Sequence, residues 1–143
     1  MKILNKYISL IFLLTLSIFI SLPASSKVVG DTIVLGAAVS LTGKYSTNGE
    51  HTKNGYNMAV DRINDMGGVT VGGKSYKFDI IYYDDESDSS RAAQLAERLI
   101  KQDGVEFMLG PYSSGLTKAM APVTEENKIP MVCLLYTSDA ADE

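Results

Sequence analysis

The chain has 143 residues, enough for one domain, and its 45% hydrophobic and 21% charged residues are ordinary for a globular protein. Its net charge of −4, with no cluster of Lys and Arg, argues against binding to nucleic acid. The single cysteine, Cys133, excludes an internal disulfide bond.

The first 26 residues have the pattern of a secretory signal peptide. Two lysines precede an uncharged, apolar run at 7–22, which Pro23 ends, and small residues follow at 24–26. A membrane anchor is the alternative, but such a helix usually needs about 20 apolar residues. We therefore expect cleavage after Ser26 or Ala24. The mature protein is expected to be exported to the periplasm and not to be inserted in the membrane.

A buried strand, a polar loop and a helix are predicted next. The run 32–39 (TIVLGAAV) is mostly apolar or β-branched, which is typical of a parallel strand covered on both faces. The loop 40–49 is small and polar, and it departs from the phosphate-loop pattern at two positions. His51 follows at the predicted start of the helix and is expected to be solvated. Apolar residues then recur at helical spacing before Gly67-Gly68 ends the helix: Tyr56, Ala59, Val60 and Ile63.

The second long strand ends at a cluster of acidic residues. The segment 69–74 contains Gly-Gly and predicts a hairpin-like turn, and 76–83 predicts the strand. The acids of 84–90 (DDESDSS) could suggest a metal site, but their spacing fits no calcium loop. The simpler interpretation is that Asp88 or Ser87 caps the next helix. That helix has its apolar face at Ala92, Leu95, Ala96 and Leu99.

The segment 107–115 (FMLGPYSSG) predicts a short buried strand, a tight turn and the first turn of a third helix. Ser113 and Ser114 are preferred N-cap residues. Such a corner places backbone N–H groups and a serine hydroxyl at the positive end of a helix dipole, which suits an anion such as a carboxylate. The alternative is that Ser114 only caps its own helix. Apolar residues continue at helical spacing at Leu116, Ala119, Met120 and Val123.

The alternation of strands and helices predicts an α/β fold with a doubly wound parallel sheet. Pro122 predicts a kink or a second short helix, and 129–132 predicts a fourth parallel strand. Ligands bind beyond the carboxyl ends of such strands, so 40–49, 84–90 and 110–114 are expected to converge there. We expect neither an enzyme nor a cofactor or metal site, since the lone histidine and cysteine suggest no nucleophile–base pair.

Three stretches together resemble the leucine/isoleucine/valine-binding family of periplasmic solute-binding proteins: AVSLTGKYSTNGEHTKNGYNMAVDRINDMGGV, IIYYDDESDSSRAAQLAERLI and GPYSSGLTKAMAPVTEENKIPMV. The resemblance implies that 27–132 is the first part of the N-terminal lobe of a two-lobe receptor. Such a receptor closes on an amino acid or amide and delivers it to the membrane permease of an ABC importer. The full-length protein is then expected to be a monomer. A ligand-sensing ectodomain of a membrane receptor, with the same fold, is the alternative.

The same resemblance implies a set of ligand-binding residues. The family's serine at the position of Ser114 binds the ligand's α-carboxylate through its hydroxyl and its N–H, and Tyr112 and Ser113 shape the same wall. The family's first loop often carries an aromatic residue just before its last glycine. This chain has Asn48 there and Tyr45 three residues earlier. That departure permits a more polar amino acid or an amide as ligand.

The final segment, 133–143 (CLLYTSDAADE), departs from the family pattern. It resembles the translation of a transposase mosaic-end adapter used in sequencing libraries, so we expect it to be foreign and the natural gene to continue beyond 132. The expected organisation is a signal peptide at 1–26, a partial lobe at 27–132 and adapter-derived sequence at 133–143.

Overall fold

The computed structural model describes residues 28–133, so the expected signal peptide at 1–26 and the segment 134–143 lie outside the described residues. Six strands and three helices follow one another in this part of the chain. They are β1 (Val28–Val29), β2 (Thr32–Val39), α1 (Ser46–Asp65), β3 (Val69–Val71), β4 (Lys74–Asp84), α2 (Ser89–Lys101), β5 (Met108–Leu109), α3 (Ser114–Glu126) and β6 (Met131–Val132).

The strands form one mostly parallel sheet in the order β3-β4-β2-β5-β6. β2 pairs in parallel with β4 along its whole length, from Thr32 opposite Lys77 to Val39 opposite Asp84. β5 continues the sheet on the other side of β2, and β6 pairs in parallel with β5. β3 and β4 form an antiparallel hairpin through Gly72-Gly73, and β1 pairs antiparallel with the start of β2. The predicted parallel α/β sheet and the hairpin are confirmed.

The hydrophobic core lies between the sheet and the two helices α2 and α3. Successive residues of a strand point to opposite faces, so Val34 and Ala38 of β2 face this side together. α2 and α3 supply the remaining wall with the small and aliphatic side chains that the sequence pattern predicted, all of them buried: Ala92, Leu95, Ala96, Leu99, Leu116 and Met120. Small residues in α2 allow it to lie close to the sheet.

α1 packs against the opposite face, and an apolar groove of about 470 Å³ remains open beside it. Ile33 and Leu35 form the groove's floor, and Val60 and Ile63 of α1 form one wall. Its far side is formed by β5 and β6, where the side chain of Val132 is 64% exposed. Helices therefore cover both faces of the sheet, as a doubly wound fold requires, but one face is covered incompletely.

Two helices differ from the sequence prediction, one in where it begins and one in its continuity. α1 begins at Ser46 and not after Gly49, because Gly49 lacks a side chain and its first turn can lie directly against the Ser40 carbonyl. Asn48 is therefore helical. α3 runs from Ser114 to Glu126 without a break, so a second short helix at Pro122 is wrong. Pro122 lies on the exposed side of α3, where water can offset the hydrogen bond that proline cannot donate.

Candidate functional site

Three loops meet at the carboxyl edge of the sheet. The first loop (40–45) follows β2, the second (85–88) follows β4, and the third (110–113) follows β5. Val39 at the end of β2 lies opposite Asp84 at the end of β4, and Leu109 at the end of β5 lies beside Ala37. The segments that follow these strand ends therefore start at the same edge, and the hydrogen bonds and ring contact described below join them. The predicted convergence of 40–49, 84–90 and 110–114 is found in the structure.

The acid that ends β4 holds the first loop by its backbone. One oxygen of the Asp84 carboxylate accepts hydrogen bonds from the N–H groups of Leu41 (2.9 Å) and Thr42 (3.2 Å), and the other accepts from the Thr42 hydroxyl (2.7 Å). Partial burial alone would raise the pKa of Asp84, but hydrogen bonds from Thr42, Glu86 and Leu41 outweigh it and lower the pKa. The structure therefore assigns this carboxylate a role in fixing the loop.

The next acid, Asp85, is fully buried. One of its oxygens accepts the Ser40 hydroxyl at 2.6 Å and the Ser87 N–H at 2.8 Å, whereas the other has no hydrogen-bond partner among the residues described. Burial raises the pKa of Asp85, and the bonds from Ser40 and Ser87 oppose that rise only in part. Within 28–133, no group of three or more His, Cys, Asp or Glu side chains could hold a metal ion.

Tyr45 and Tyr112 connect the first loop with the turn before α3. Their ring centroids lie 6.2 Å apart with the planes tilted by 56°, a favourable aromatic geometry. Hydrogen bonding from Lys44 and then from Ser113, together with the Lys44 charge, lowers the pKa of the Tyr45 hydroxyl. Tyr45 therefore interacts with Lys44 of its own loop and with Tyr112 and Ser113 of the turn before α3.

Ser113, and not Ser114, is the N-cap residue of α3. Ser113 has extended backbone angles, and its carbonyl accepts the first intrahelical bond, from the Thr117 N–H at 2.9 Å. Its side chain makes no capping hydrogen bond to the helix. Ser114 is already the first helical residue, so the alternative interpretation of Ser114 as the cap is wrong. The N–H groups of Ser114, Gly115 and Leu116 precede the first intrahelical bond.

A cavity of about 580 Å³ lies between α1 and Tyr112. It brings two of the predicted site residues together, Asn48 and Tyr112, while Tyr45, Ser113 and Ser114 lie outside its lining. Four lining residues were not predicted: His51, Thr52, Gly55 and Tyr56. Helical spacing could have found them, because 48, 52 and 55–56 share one face once the helix is known to begin at Ser46.

Tyr56 lines this cavity and also contacts the third loop. Its hydroxyl donates to the Gly110 carbonyl at 2.7 Å, which fixes α1 against the turn that precedes α3. Burial, followed by the proximity of Cys133 and Tyr82, raises the pKa of Tyr56 to about 12. The hydroxyl therefore remains a proton donor at physiological pH.

Comparison with known proteins decides the family. The sequence model of the periplasmic binding protein family matches residues 32–143. The chain belongs to this family. Among curated periplasmic binding proteins, it is 29% identical over 109 residues to the leucine-, isoleucine-, valine-, threonine- and alanine-binding protein of Pseudomonas aeruginosa. That match covers 76% of this chain and 28% of the relative.

Solved periplasmic binding proteins share the fold. The branched-chain amino acid transporter substrate-binding protein LivJ of Streptococcus pneumoniae, in complex with isoleucine, superposes with a TM-score of 0.65 at 28% identity, covering 71% of this chain and 28% of LivJ. A solute-binding protein of an ABC transporter from Rhodopseudomonas palustris, in complex with 3,4-dihydroxybenzoic acid, superposes with a TM-score of 0.61 at 28% identity. This match covers 72% of this chain and 27% of that protein.

The match is partial in length. The chain spans about a quarter of the relatives that it matches. These relatives are binding proteins and transporter components, in agreement with the expectation that the chain is not an enzyme. The family description places such proteins outside the cytoplasm. Among residues 28–133, no helix has the length and apolar character needed to span a membrane.

Proposed function

We propose that this chain is the first part of the N-terminal lobe of an extracytoplasmic solute-binding protein that serves an ABC importer. Its ligand is a branched-chain or other amino acid, or an amide, captured through its α-carboxylate and delivered to the membrane permease. The relatives support this proposal by their ligands. Isoleucine has an aliphatic body and 3,4-dihydroxybenzoic acid an aromatic one, but both carry a carboxylate group.

The start of α3 carries the proposal. Three N–H groups precede the first intrahelical bond there, and the side chain of Ser113 is not used as a cap. An anion at this point would meet backbone donors, the hydroxyl of Ser114 and the positive end of the helix dipole. We assign Ser114 as the carboxylate ligand, with Ser113 beside it.

The remaining walls of the site fit a ligand that is larger than its carboxylate. The ring pair of Tyr45 and Tyr112 adjoins Ser113, and the cavity next to Tyr112 has a polar side at Asn48. We propose that these three side chains contact the body of the ligand. The amide of Asn48 favours a polar ligand group over an aliphatic one, since an unpaired buried amide is costly.

Calorimetric titration of the full-length protein tests the function. The panel contains isoleucine, glutamine, an aliphatic amide and 3,4-dihydroxybenzoate, and Ser114→Ala is compared with the wild type. A hydrogen bond to a charged group contributes about 1.5–3 kcal/mol, so the variant should bind a carboxylate ligand about 10- to 100-fold more weakly.

Ser90→Ala is the matched control, because Ser90 is an exposed serine in the first turn of α2 and should leave affinity unchanged. Equal dissociation constants for Ser114→Ala and the wild type would remove Ser114 from the site. Binding of no panel member by the wild type would overturn the proposed function itself.

The proposed location can be tested separately. Expressed with its own leader, the protein should be recovered in the soluble periplasmic fraction with Ser25 or Lys27 at its N-terminus, as determined by mass spectrometry. Recovery of the intact leader in the membrane fraction would instead favour an anchored sensor. This outcome does not depend on the ligand.

A further inference from the structure

The position of Tyr45 depends on one hydroxyl from a different loop. The Tyr45 N–H donates to the Ser87 Oγ atom at 3.1 Å, and the same hydroxyl donates to the Thr42 carbonyl at 2.8 Å. Ser87 therefore holds the first loop at two backbone points, one on each side of Gly43. Tyr45 precedes Ser87 by 42 positions and Thr42 precedes it by 45, so no local pattern determines this contact.

Ser87 is itself held in an uncommon conformation. Its φ angle is 60°, and that of Glu86 is 54°, both in the left-handed region that residues with a side chain rarely adopt. The buried carboxylate of Asp85 accepts the Ser87 N–H and also the hydroxyl of Ser40, which is fully buried at the end of β2. Asp85 therefore links the turn that contains Ser87 to the end of β2, and the Ser87 hydroxyl faces the first loop.

The first loop and this turn are in direct contact as well. A Cβ atom at Gly43 would lie 2.6 Å from the Glu86 carbonyl oxygen and 2.7 Å from the Ser87 Oγ atom. Gly43 also has a φ angle of 80°, so any other residue would be strained there. The loop can approach the Ser87 hydroxyl only because this position has no side chain.

We propose that Ser87 is a positioning residue for ligand binding: through its two hydrogen bonds it places Tyr45 opposite Tyr112 in the ligand site. Asp85 acts through Ser87 by holding the turn. Neither side chain lines the cavity beside Tyr112. This inference rests on the proposed function for its effect on affinity, but the placement of Tyr45 can be measured without any ligand.

Two substitutions at the same position separate positioning from folding. Ser87→Ala removes the hydroxyl and keeps the strained backbone, whereas Ser87→Gly removes the hydroxyl and accepts the left-handed conformation without strain. Ser87→Gly should therefore be more stable than Ser87→Ala in urea unfolding. Both should bind the best panel ligand about 3- to 10-fold more weakly than the wild type, the effect of losing one or two neutral hydrogen bonds.

The second readout is the ring resonance of Tyr45 in protein labelled with ¹³C-tyrosine, assigned with Tyr45→Phe. Both Ser87 variants should shift this resonance, and Ser90→Ala, which removes an exposed hydroxyl three residues away, should not. An unmoved resonance in Ser87→Gly, or an unchanged dissociation constant in that variant, would overturn the proposal. If the wild type binds no panel member, the proposed function has failed and the resonance alone decides the role of Ser87.

Discussion

The ring of Tyr45 lies 6.2 Å from the ring of Tyr112, which stands 67 positions later in the chain, and this contact joins the first loop to the start of α3. The side chain of Tyr112 is 43% exposed, so its contribution to stability is small compared with that of a core residue. Tyr45 is partly buried and packs against the hydrophobic core, so the exposed ring of Tyr112 is the member of the pair expected to matter for binding more than for folding.

Replacing Tyr112 tests this expectation. In the full-length protein, Tyr112→Ala should weaken ligand binding about 3- to 10-fold, because the variant loses a ring that lines the proposed cavity and contacts Tyr45. Tyr112→Phe keeps the ring and should bind like the wild type, as measured by calorimetry. An equal loss in both variants would assign the effect to the hydroxyl and not to the ring pair.

The starts of α2 and α3 should respond differently to loss of their N-cap side chains. Asp88 accepts a hydrogen bond from the Arg91 N–H at 2.8 Å, which confirms it as the cap of α2, whereas Ser113 makes no such bond. Asp88→Ala should therefore lower the free energy of unfolding by about 1 kcal/mol, and Ser113→Ala by less than about 0.5 kcal/mol. Urea denaturation of the two variants measures the difference, and a larger loss for Ser113→Ala would contradict the assignment.

Two glycines of α1 offer opposite outcomes for the same substitution. A Cβ atom at Gly49 would overlap the Ser40 carbonyl, while one at Gly55 would meet nothing within 4 Å. Alanine normally stabilises a helix relative to glycine by about 0.5–1 kcal/mol, so Gly55→Ala should raise the melting temperature. Gly49→Ala should lower stability by about 1–3 kcal/mol, because α1 must move away from β2. Equal melting temperatures would show that the close approach is absent in solution.

Asp85 should make stability depend on pH. Its pKa is raised in the folded protein, so its favourable contribution is fully present below the unfolded pKa, about 3.9, and is lost as pH rises through the folded pKa. Asp85→Asn keeps an acceptor for Ser40 and Ser87 and cannot ionise. The free energy of unfolding of the wild type should therefore fall relative to that of Asp85→Asn as pH rises from about 4 to 7.

The lowered pKa of Asp84 acts in the opposite direction but is present in both proteins, so the difference between the two profiles reports on the ionisation of Asp85, including its repulsion by Asp84. Parallel profiles for the wild type and Asp85→Asn would show that Asp85 titrates normally. Chemical denaturation at each pH supplies both curves.

The open apolar groove predicts the behaviour of residues 27–143 produced alone. Several aliphatic and aromatic side chains, among them Ile33, Leu35 and Val132, line a groove of about 470 Å³. Each large apolar side chain left unburied forgoes about 1.5–3 kcal/mol, so a few of them approach the whole stability of a small domain, about 5–15 kcal/mol. We expect this polypeptide to bind a hydrophobic dye, to unfold without a sharp transition and to bind no panel ligand. A two-state transition of a monomer, with micromolar binding, would contradict the prediction.

The amino-acid sequence determined those elements that a local pattern of residues marks. The apolar run of β2 predicted the same bounds that the structure has, and the four apolar positions of α2 are all buried. Gly72-Gly73 predicted the hairpin, and Asp88 was one of two predicted caps. Each of these signals is local, because hydrogen bonding within an element and burial of one face depend on residues only a few positions apart.

The sequence predicted that the three loops converge at the carboxyl edge of the sheet, but only the tertiary structure decided where α1 begins and which contacts hold the loops. The start of α1 has no apolar residue to mark it, and it depends on Gly49 meeting Ser40 across the loop. The acids that end β4 suggested a helix dipole or a metal, yet the partners of Asp84 and Asp85 include residues more than 40 positions away. Such pairs form when parallel strands bring their carboxyl ends to one edge, and no spacing in the sequence records which side chains then face each other.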